Sequence, residues 1–444
     1  MKYSSAIILA AVTVANADCS AFEEFGNFFC KNAVKQIKYN GLDLAGKYRA
    51  VASMDNSGTC TFEDKDYSGP IAPFDEDLTL HFRGPLKLET LAVYTPSSSS
   101  SKRDVPKPHS KRHGHQHLHK KYHEHEAEKR ADMVSAYIDG KLVSWENNYF
   151  GPSTTPAPAA TAAVASAYNA VTSAAESIKS KVSSAVSSSS SVPAGDYERV
   201  AYYNAKDQTA DGLVFLANLG DPSLSGTWDT VWGSSLAYSN EDGTKAAASP
   251  TVLKDATISD DVEIIVASDK ECKDDCGTVR PGAVAYKGFE GANKVFLLKF
   301  SMPLSGDRSF NGDMPAVWAL NGKIPRTGQY SKCSCWSGDN ASPQQGGCGE
   351  ADIFEVLRSG DTKAKSTFHF AAGIGDSHYF DRPTDVNSPV TVAVVFQEST
   401  SSTTIKVLDD SYDIGTSLTS DQIEDIVKDE TDLDLFSLMS FALS

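Results

Sequence analysis

Three carboxylates fall within six residues at Glu350-Ala351-Asp352-Ile353-Phe354-Glu355, in an otherwise apolar stretch. A short acidic run is ordinarily a solvated face. Here the apolar neighbours imply a buried strand, where acids are costly without a task. Glycoside hydrolysis needs one carboxylate to attack the sugar or activate water, and a second, kept protonated by its surroundings, to protonate the leaving oxygen. Glu350 and Glu355 can fill both roles, although their spacing does not say which fills which. A calcium site is the competing reading, because carboxylate oxygens bind that ion. The regular Asp/Asn spacing of a calcium loop is missing, so neither a metal nor another cofactor is expected.

Strand geometry constrains how these groups can meet. Side chains alternate between faces, so Glu350 and Asp352 share one while Glu355, five positions on, faces away. A β-bulge between Asp352 and Glu355 would return all three to one face, and bulges recur beside active sites. The two glutamate α-carbons would then lie about 13 Å apart at ~3.3 Å per residue. Long side chains leaning inward could bring the carboxyls near the ~5 to 5.5 Å of retaining glycosidases.

The elements that must hold this strand are legible in the surrounding pattern. From Asp196 onward, apolar runs at Glu263–Val266, Val295–Phe300, Ala316–Leu320, Ala351–Leu357, Ser366–Phe370, Val390–Phe396 and Thr404–Leu408 alternate with turn residues. That pattern predicts an all-β sandwich or jelly roll over 196–444. One helix is expected at Asp421–Lys428, with Ser420 as its N-cap. Residues 18–95 carry further alternating segments, among them Leu78–Phe82 and Leu86–Tyr94, and are expected to form a separate small β-rich domain.

Between these parts, residues 96–132 hold seven of the ten histidines and the pairs Lys102-Arg103, Lys111-Arg112 and Lys129-Arg130. Neutral imidazoles bind zinc or copper. With dibasic pairs flanking the tract, a linker open to a processing protease is the preferred reading. Residues 133–151 suggest a short strand pair, and 152–195, rich in Ser, Ala and Thr, reads as an O-glycosylated stalk.

The start of the chain, residues 1–17, has the charge, apolar run and Ala15-Asn16-Ala17 site of a signal peptide cleaved before Asp18. No later stretch is long enough for a membrane span, and no membrane anchor is expected. Eight cysteines suit an oxidising, extracellular compartment. Three precede the dibasic region and five follow it, so a bridge joining the two parts is expected, with Cys272–Cys276 and a pairing of Cys348 with Cys333 or Cys335 as local candidates. A net charge of −17 argues against nucleic acid as the main partner. An uncharged polysaccharide remains compatible. Asn340-Ala341-Ser342 is a glycosylation sequon.

Sugars present apolar C–H faces to aromatic rings, so Trp318, Trp336, Trp228 and Trp232 are candidate subsite walls, with core packing as the alternative for each. His369, between two phenylalanines, could face a cleft or be structural.

Glu350-x-Asp352-x-x-Glu355 resembles the active-site signature of glycoside hydrolase family 16, concanavalin-like jelly rolls acting on β-glucans, and Met314–Asn321 looks like the strand preceding that site. Gly226–Ser235 and Cys333-Ser-Cys-Trp336 resemble the target-of-SBF family of fungal cell-wall proteins, a resemblance that covers both folded regions. It implies a cell-wall endo-1,3-β-glucanase with Glu350 as nucleophile, Glu355 as acid/base and Asp352 bonded to the nucleophile. A glucan transglycosylase would share the same covalent intermediate, and a wall-binding protein that keeps a lectin-like fold without turnover is the non-enzymatic alternative.

Overall fold

The computed structural model describes residues 21–24, 27–30, 33–97, 133–138, 141–146, 196–336, 346–432 and 435–441. The principal strands, in chain order, are β1 (Gln36–Asn40), β2 (Gly46–Met54), β3 (Cys60–Tyr67), β4 (Leu78–Arg83), β5 (Lys87–Pro96), β6 (Tyr197–Asn204), β7 (Leu213–Ala217) and β8 (Glu263–Ser268). They continue with β9 (Lys294–Ser301), β10 (Ala316–Asn321), β11 (Glu350–Glu355), β12 (Lys363–Phe370), β13 (Gly373–Asp381), β14 (Val390–Gln397), β15 (Ser402–Leu408) and β16 (Phe436–Ser440).

These strands build two nine-stranded sheets. The first runs β6-β5-β9-β14-β15-β1-β16, with Thr209–Asp211 and Ser417–Leu418 both paired to β6. The second runs β7-β8-β4-β10-β11-β12-β13, extended beyond β7 by Ala237–Ser239 and Ala246–Ala247. Leu91, Val93, Phe296, Leu298, Val392 and Val394 of the first sheet form one buried cluster with Leu80, Phe82, Ile264, Val266 and Phe368 of the second. The architecture is therefore an all-β, jelly-roll-like sandwich.

The small domain expected at 18–95 does not stand apart. β4 lies between β8 and β10, β5 lies between β6 and β9, and β1 lies between β15 and β16. Alternation in a sequence identifies a strand but not its partner, and the partners of these strands all come from the C-terminal half. The crossing from β4 to β5 passes so close to Ser259 and Ile258 that a Cβ on Gly84 would sit 2.0 Å from the Ser259 carbonyl oxygen. Only glycine fits there.

Residues 98–195 are inserted where the two halves meet. Pro96 pairs with Tyr197 across the β5–β6 ladder, and the Ser97 amide donates to the Asp196 carbonyl at 2.9 Å. The strand pair expected within 133–151 is present as a hairpin, Met133–Ile138 against Lys141–Glu146. The signal peptide, the histidine and dibasic tract and the Ser/Ala/Thr-rich stalk lie outside the described residues.

Smaller elements and disulfides complete the fold. The β2–β3 hairpin is bonded to the C-terminal half by a Cys60–Cys333 disulfide spanning 273 residues of sequence. This is the bridge between the two parts expected from the cysteine count. Cys272–Cys276 and Cys335–Cys348 close local loops. The expected helix is found as α2 (Ser420–Val427), after the short α1 (Lys323–Arg326), and buries Ile423 and Ile426. Its cap is Thr419 rather than Ser420. Thr419 and Gln422 form a capping box, while the Ser420 hydroxyl donates to Asp196 at 2.6 Å.

Candidate active site

The β11 strand carries the expected bulge. Its ladder with β10 pairs Asp352 with Trp318 but Phe354 with Val317, and its ladder with β12 shifts between Asp352 and Glu355. Ala351, Ile353, Phe354 and Val356 all join the core cluster, so two consecutive residues, Ile353 and Phe354, point inward. That doubled step returns Glu355 to the face already occupied by Glu350 and Asp352.

Each carboxylate has a different partner. The Trp336 indole N–H donates to Glu350 Oε2, and Trp336 is fixed by the adjoining Cys335–Cys348 bridge. The same bridge orders the approach to β11. A Cβ on Gly346 would lie 2.4 Å from the His369 carbonyl carbon, which lets this loop press directly on the neighbouring strand. His369, opposite Glu350 in the ladder, places Nε2 3.2 Å from Asp352 Oδ2. Arg83 stands 3.8 Å from Glu355 Oε1 and is held by an Nε–H bond to the Met314 carbonyl at 2.8 Å.

Burial sets the electrostatics. Glu350 is pushed up to about 8, first by loss of solvent and then by the neighbouring Asp352 charge, with Glu355 adding to the rise and His369 and the Trp336 N–H opposing it. Asp352 is raised well above the usual carboxylate range by burial and by Glu355, against the pull of Arg83 and Lys365. The cluster thus retains a proton near neutral pH, and Asp352 has much the drier position, with 8 % of its side chain exposed.

Trp318 pairs with Asp352 across the β10–β11 ladder and lies tilted against His81, ring centres 5.1 Å apart; it is 6 % exposed and also joins the core cluster. The structure therefore brings together Glu350, Asp352, Glu355, Trp318, Trp336 and His369. It does not bring in Trp232, which packs with Val51, Met54 and Cys333 and donates its indole N–H to the Asp55 carbonyl at 2.6 Å. That tryptophan seals the β2–β3 hairpin onto the C-terminal half, so its reading as a sugar wall is replaced by a packing role. Trp228, 47 % exposed, belongs to a two-stranded hairpin outside both sheets. Asn340 lies outside the described residues.

Arg83, His81, Glu263 and Tyr330 were not indicated by the sequence. His81 and Arg83 alternate along β4, the signal of one exposed sheet face, but nothing in the local pattern showed that β4 borders β10. A cavity of about 590 Å³ lies elsewhere, between the β2–β3 hairpin, α1 and the loop 274–278, with the carboxylates outside its lining. Among the described residues no group of three or more His, Cys, Asp or Glu side chains is arranged to hold a metal ion, and no helix is long and apolar enough to cross a membrane.

Comparison with known proteins gives consistent relatives. Residues 195–426 match the family model "Cell wall protein YJL171C/Tos1, C-terminal", and residues 35–96 match its N-terminal counterpart. The chain is 36 % identical over 437 residues to a protein of Arthroderma benhamiae named "Probable circularly permuted 1,3-beta-glucanase", covering 93 % of this chain and 94 % of that one. Proteins named "Probable circularly permuted 1,3-beta-glucanase TOS1" from Candida albicans and Saccharomyces cerevisiae are each 35 % identical, covering 97 % and 90 % of this chain and 98 % and 91 % of theirs. No solved structure matches the chain. With both segment models matched and relatives aligned over nearly their full length, the chain belongs to the YJL171C/Tos1 family of cell wall proteins.

Proposed function

We propose that this protein is a secreted, wall-associated endo-1,3-β-glucanase of the retaining type. The observation that carries the reading is the β11 bulge, which sets Glu350, Asp352 and Glu355 on one sheet face beside Trp318. A pure binding protein has no need of such a set. The relatives' names support the glucan substrate.

In this reading Glu350 attacks the anomeric carbon while Glu355 donates its proton to the departing glycosidic oxygen, and a glycosyl ester forms on Glu350. Glu355, now a carboxylate, then takes a proton from the incoming water or sugar hydroxyl as the ester breaks. Attack requires Glu350 as the carboxylate, the form that rising pH supplies. Positive charge developing at the anomeric carbon further favours the ionised form. The Trp336 N–H directs one oxygen of Glu350, leaving the other for attack.

Soluble β-1,3-glucan with the wild-type protein, Glu350→Gln and Glu355→Gln tests this, with the anomeric configuration of first products followed by NMR. The reading expects β-configured products from the wild type and a loss of at least ~10²-fold in both variants. Longer products in place of short ones would make it a transglycosylase. Binding without turnover on any β-glucan would overturn the enzymatic reading.

A further inference from the structure

The registers of three adjacent ladders align Glu263, Arg83, Ala316 and Glu355 in one row across β8, β4, β10 and β11. Directly paired residues share a sheet face, so Glu263 lies on the same face as the carboxylates. It stands three strands away, about 14 Å at ~4.8 Å per strand. That distance is well beyond the ~5 to 5.5 Å spanned by two carboxyls flanking a cleaved glycosidic bond in a retaining enzyme. A sugar touching this position is not the one being cut.

Glu263 is built into its place. His81 Nδ1 and Gln329 Nε2 bond its Oε1 at 2.7 and 2.8 Å, and the Tyr330 hydroxyl donates to its Oε2. Gln329 is itself fixed by Asn218 Nδ2 at 2.9 Å. Burial would raise Glu263, but these bonds hold it below the usual carboxylate range. The array locks the Tyr330 hydroxyl while leaving that residue 56 % exposed. An exposed tyrosine normally reaches water with its hydroxyl and keeps its rotational freedom. Here a half-buried carboxylate fixes the ring as a flat apolar surface rimmed by amides. Such preorganisation lowers the ordering cost of binding.

We infer that Tyr330, oriented by Glu263 and His81, is a distal subsite that stacks a pyranose ring of the same glucan chain whose cleavage is proposed for Glu350 and Glu355. The inference rests on that reading and adds to it that the chain is gripped across the β8 side of the sheet, remote from the scissile bond. A polysaccharide crossing the strands at right angles passes from the carboxylates over Trp318 and Arg83 to Tyr330.

Calorimetric binding of a β-1,3-linked disaccharide and of a long linear oligosaccharide to the full-length Glu350→Gln protein tests this, with and without Tyr330→Ala. About a tenfold loss of affinity for the long chain, with the disaccharide unchanged, is the expected result. Tyr330→Phe, which keeps the ring, should lose less than Tyr330→Ala, and thermal unfolding should confirm that both variants fold. Unchanged affinity for the long chain, or equal loss for both ligands, overturns the subsite while leaving glucan turnover by the wild type to stand. Failure of the parent to bind either ligand, together with no turnover, overturns both.

Discussion

Arg83 and Glu355 are separated by most of the folded chain, yet the Arg83 guanidinium stands 3.8 Å from Glu355 Oε1 with only the Ala316 position between their strands. Alanine is what allows this reach, since a larger side chain at 316 would stand between them. The guanidinium also lies 5.8 Å from the centre of the Trp318 ring. Arg83 therefore orients both Glu355 and the tryptophan beside Asp352. Arg83→Met should lower kcat/KM on soluble glucan about tenfold, equivalent to ~1.4 kcal/mol. Arg83→Lys should restore part of the loss. An unchanged kcat/KM in Arg83→Met with a lowered melting temperature would reduce Arg83 to a packing role.

The pH dependence of activity should expose the carboxylate cluster. With Glu350 raised to about 8 in the free protein, the acid limb of kcat/KM is expected well above the ordinary carboxylate range. Asp352→Asn removes a charge that raises Glu350 and should move that limb to lower pH. His369→Ala removes a group that lowers Glu350 and should move it higher. Opposite shifts from these two variants would be hard to obtain from general destabilisation, whereas identical shifts would refute this account of the cluster.

The same shift has a cost in stability. A carboxyl whose folded pKa exceeds its unfolded value binds more protons when folded, so stability falls as pH rises from about 4.5 to about 8 and the penalty is complete above that. Glu350→Gln keeps an acceptor for the Trp336 N–H but cannot ionise. It should raise stability at pH 9 by on the order of 2 kcal/mol, allowing for partial solvent access, and change it little at pH 4.5. Thermal melts at the two pH values check this. Equal effects at both would mean that ionisation of Glu350 is not responsible.

Much of this site could be read from the chain because its signals are local. The spacing of Glu350 and Glu355 required an extra residue between faces, and the bulge at Ile353-Phe354 supplies it. Strands such as Val390–Gln397 and Lys294–Ser301 announced themselves as apolar runs because both of their faces are covered. What could not be read was pairing across long separations. β4 has an ordinary alternating pattern, and only its neighbours, encoded some 180 to 240 positions later, make Arg83 and His81 part of the site. Trp232 failed for the same reason, because a tryptophan's spacing does not reveal whether a hairpin from the other half covers it.

Cys60 and Cys333 join the segments before and after the insertion. Cutting the native protein within 98–195 with a protease specific for basic residues should give fragments that migrate together on gels without reductant and apart with it. In the Cys60→Ser, Cys333→Ser variant the fragments should separate on denaturing gels even without reductant. They should still co-elute under native conditions, because β4, β5 and β1 are interior to both sheets. Stability should fall by ~2 to 4 kcal/mol, the usual range for a lost disulfide. Separation of the wild-type fragments without reductant would refute the bridge.

The insertion itself makes a last and more demanding test. Its two ends leave adjacent positions of one antiparallel ladder, where Tyr197 faces Pro96 and the Ser97 amide bonds to the Asp196 carbonyl. Antiparallel strands at that separation can be closed by a two-residue turn. Replacing residues 98–195 with Asn-Gly should therefore leave both sheets, the Cys60–Cys333 bridge and the carboxylate face in place. Loop-closure entropy favours the shortened chain by about 3 kcal/mol, taking ~0.6 kcal/mol for each halving of the loop. The variant should melt no lower than the parent and keep its kcat/KM on soluble glucan, even if its retention on insoluble wall material changes. Loss of folding would show that the inserted segment is part of the sandwich. Loss of turnover with an unchanged melt would place a missing part of the active site within 98–195.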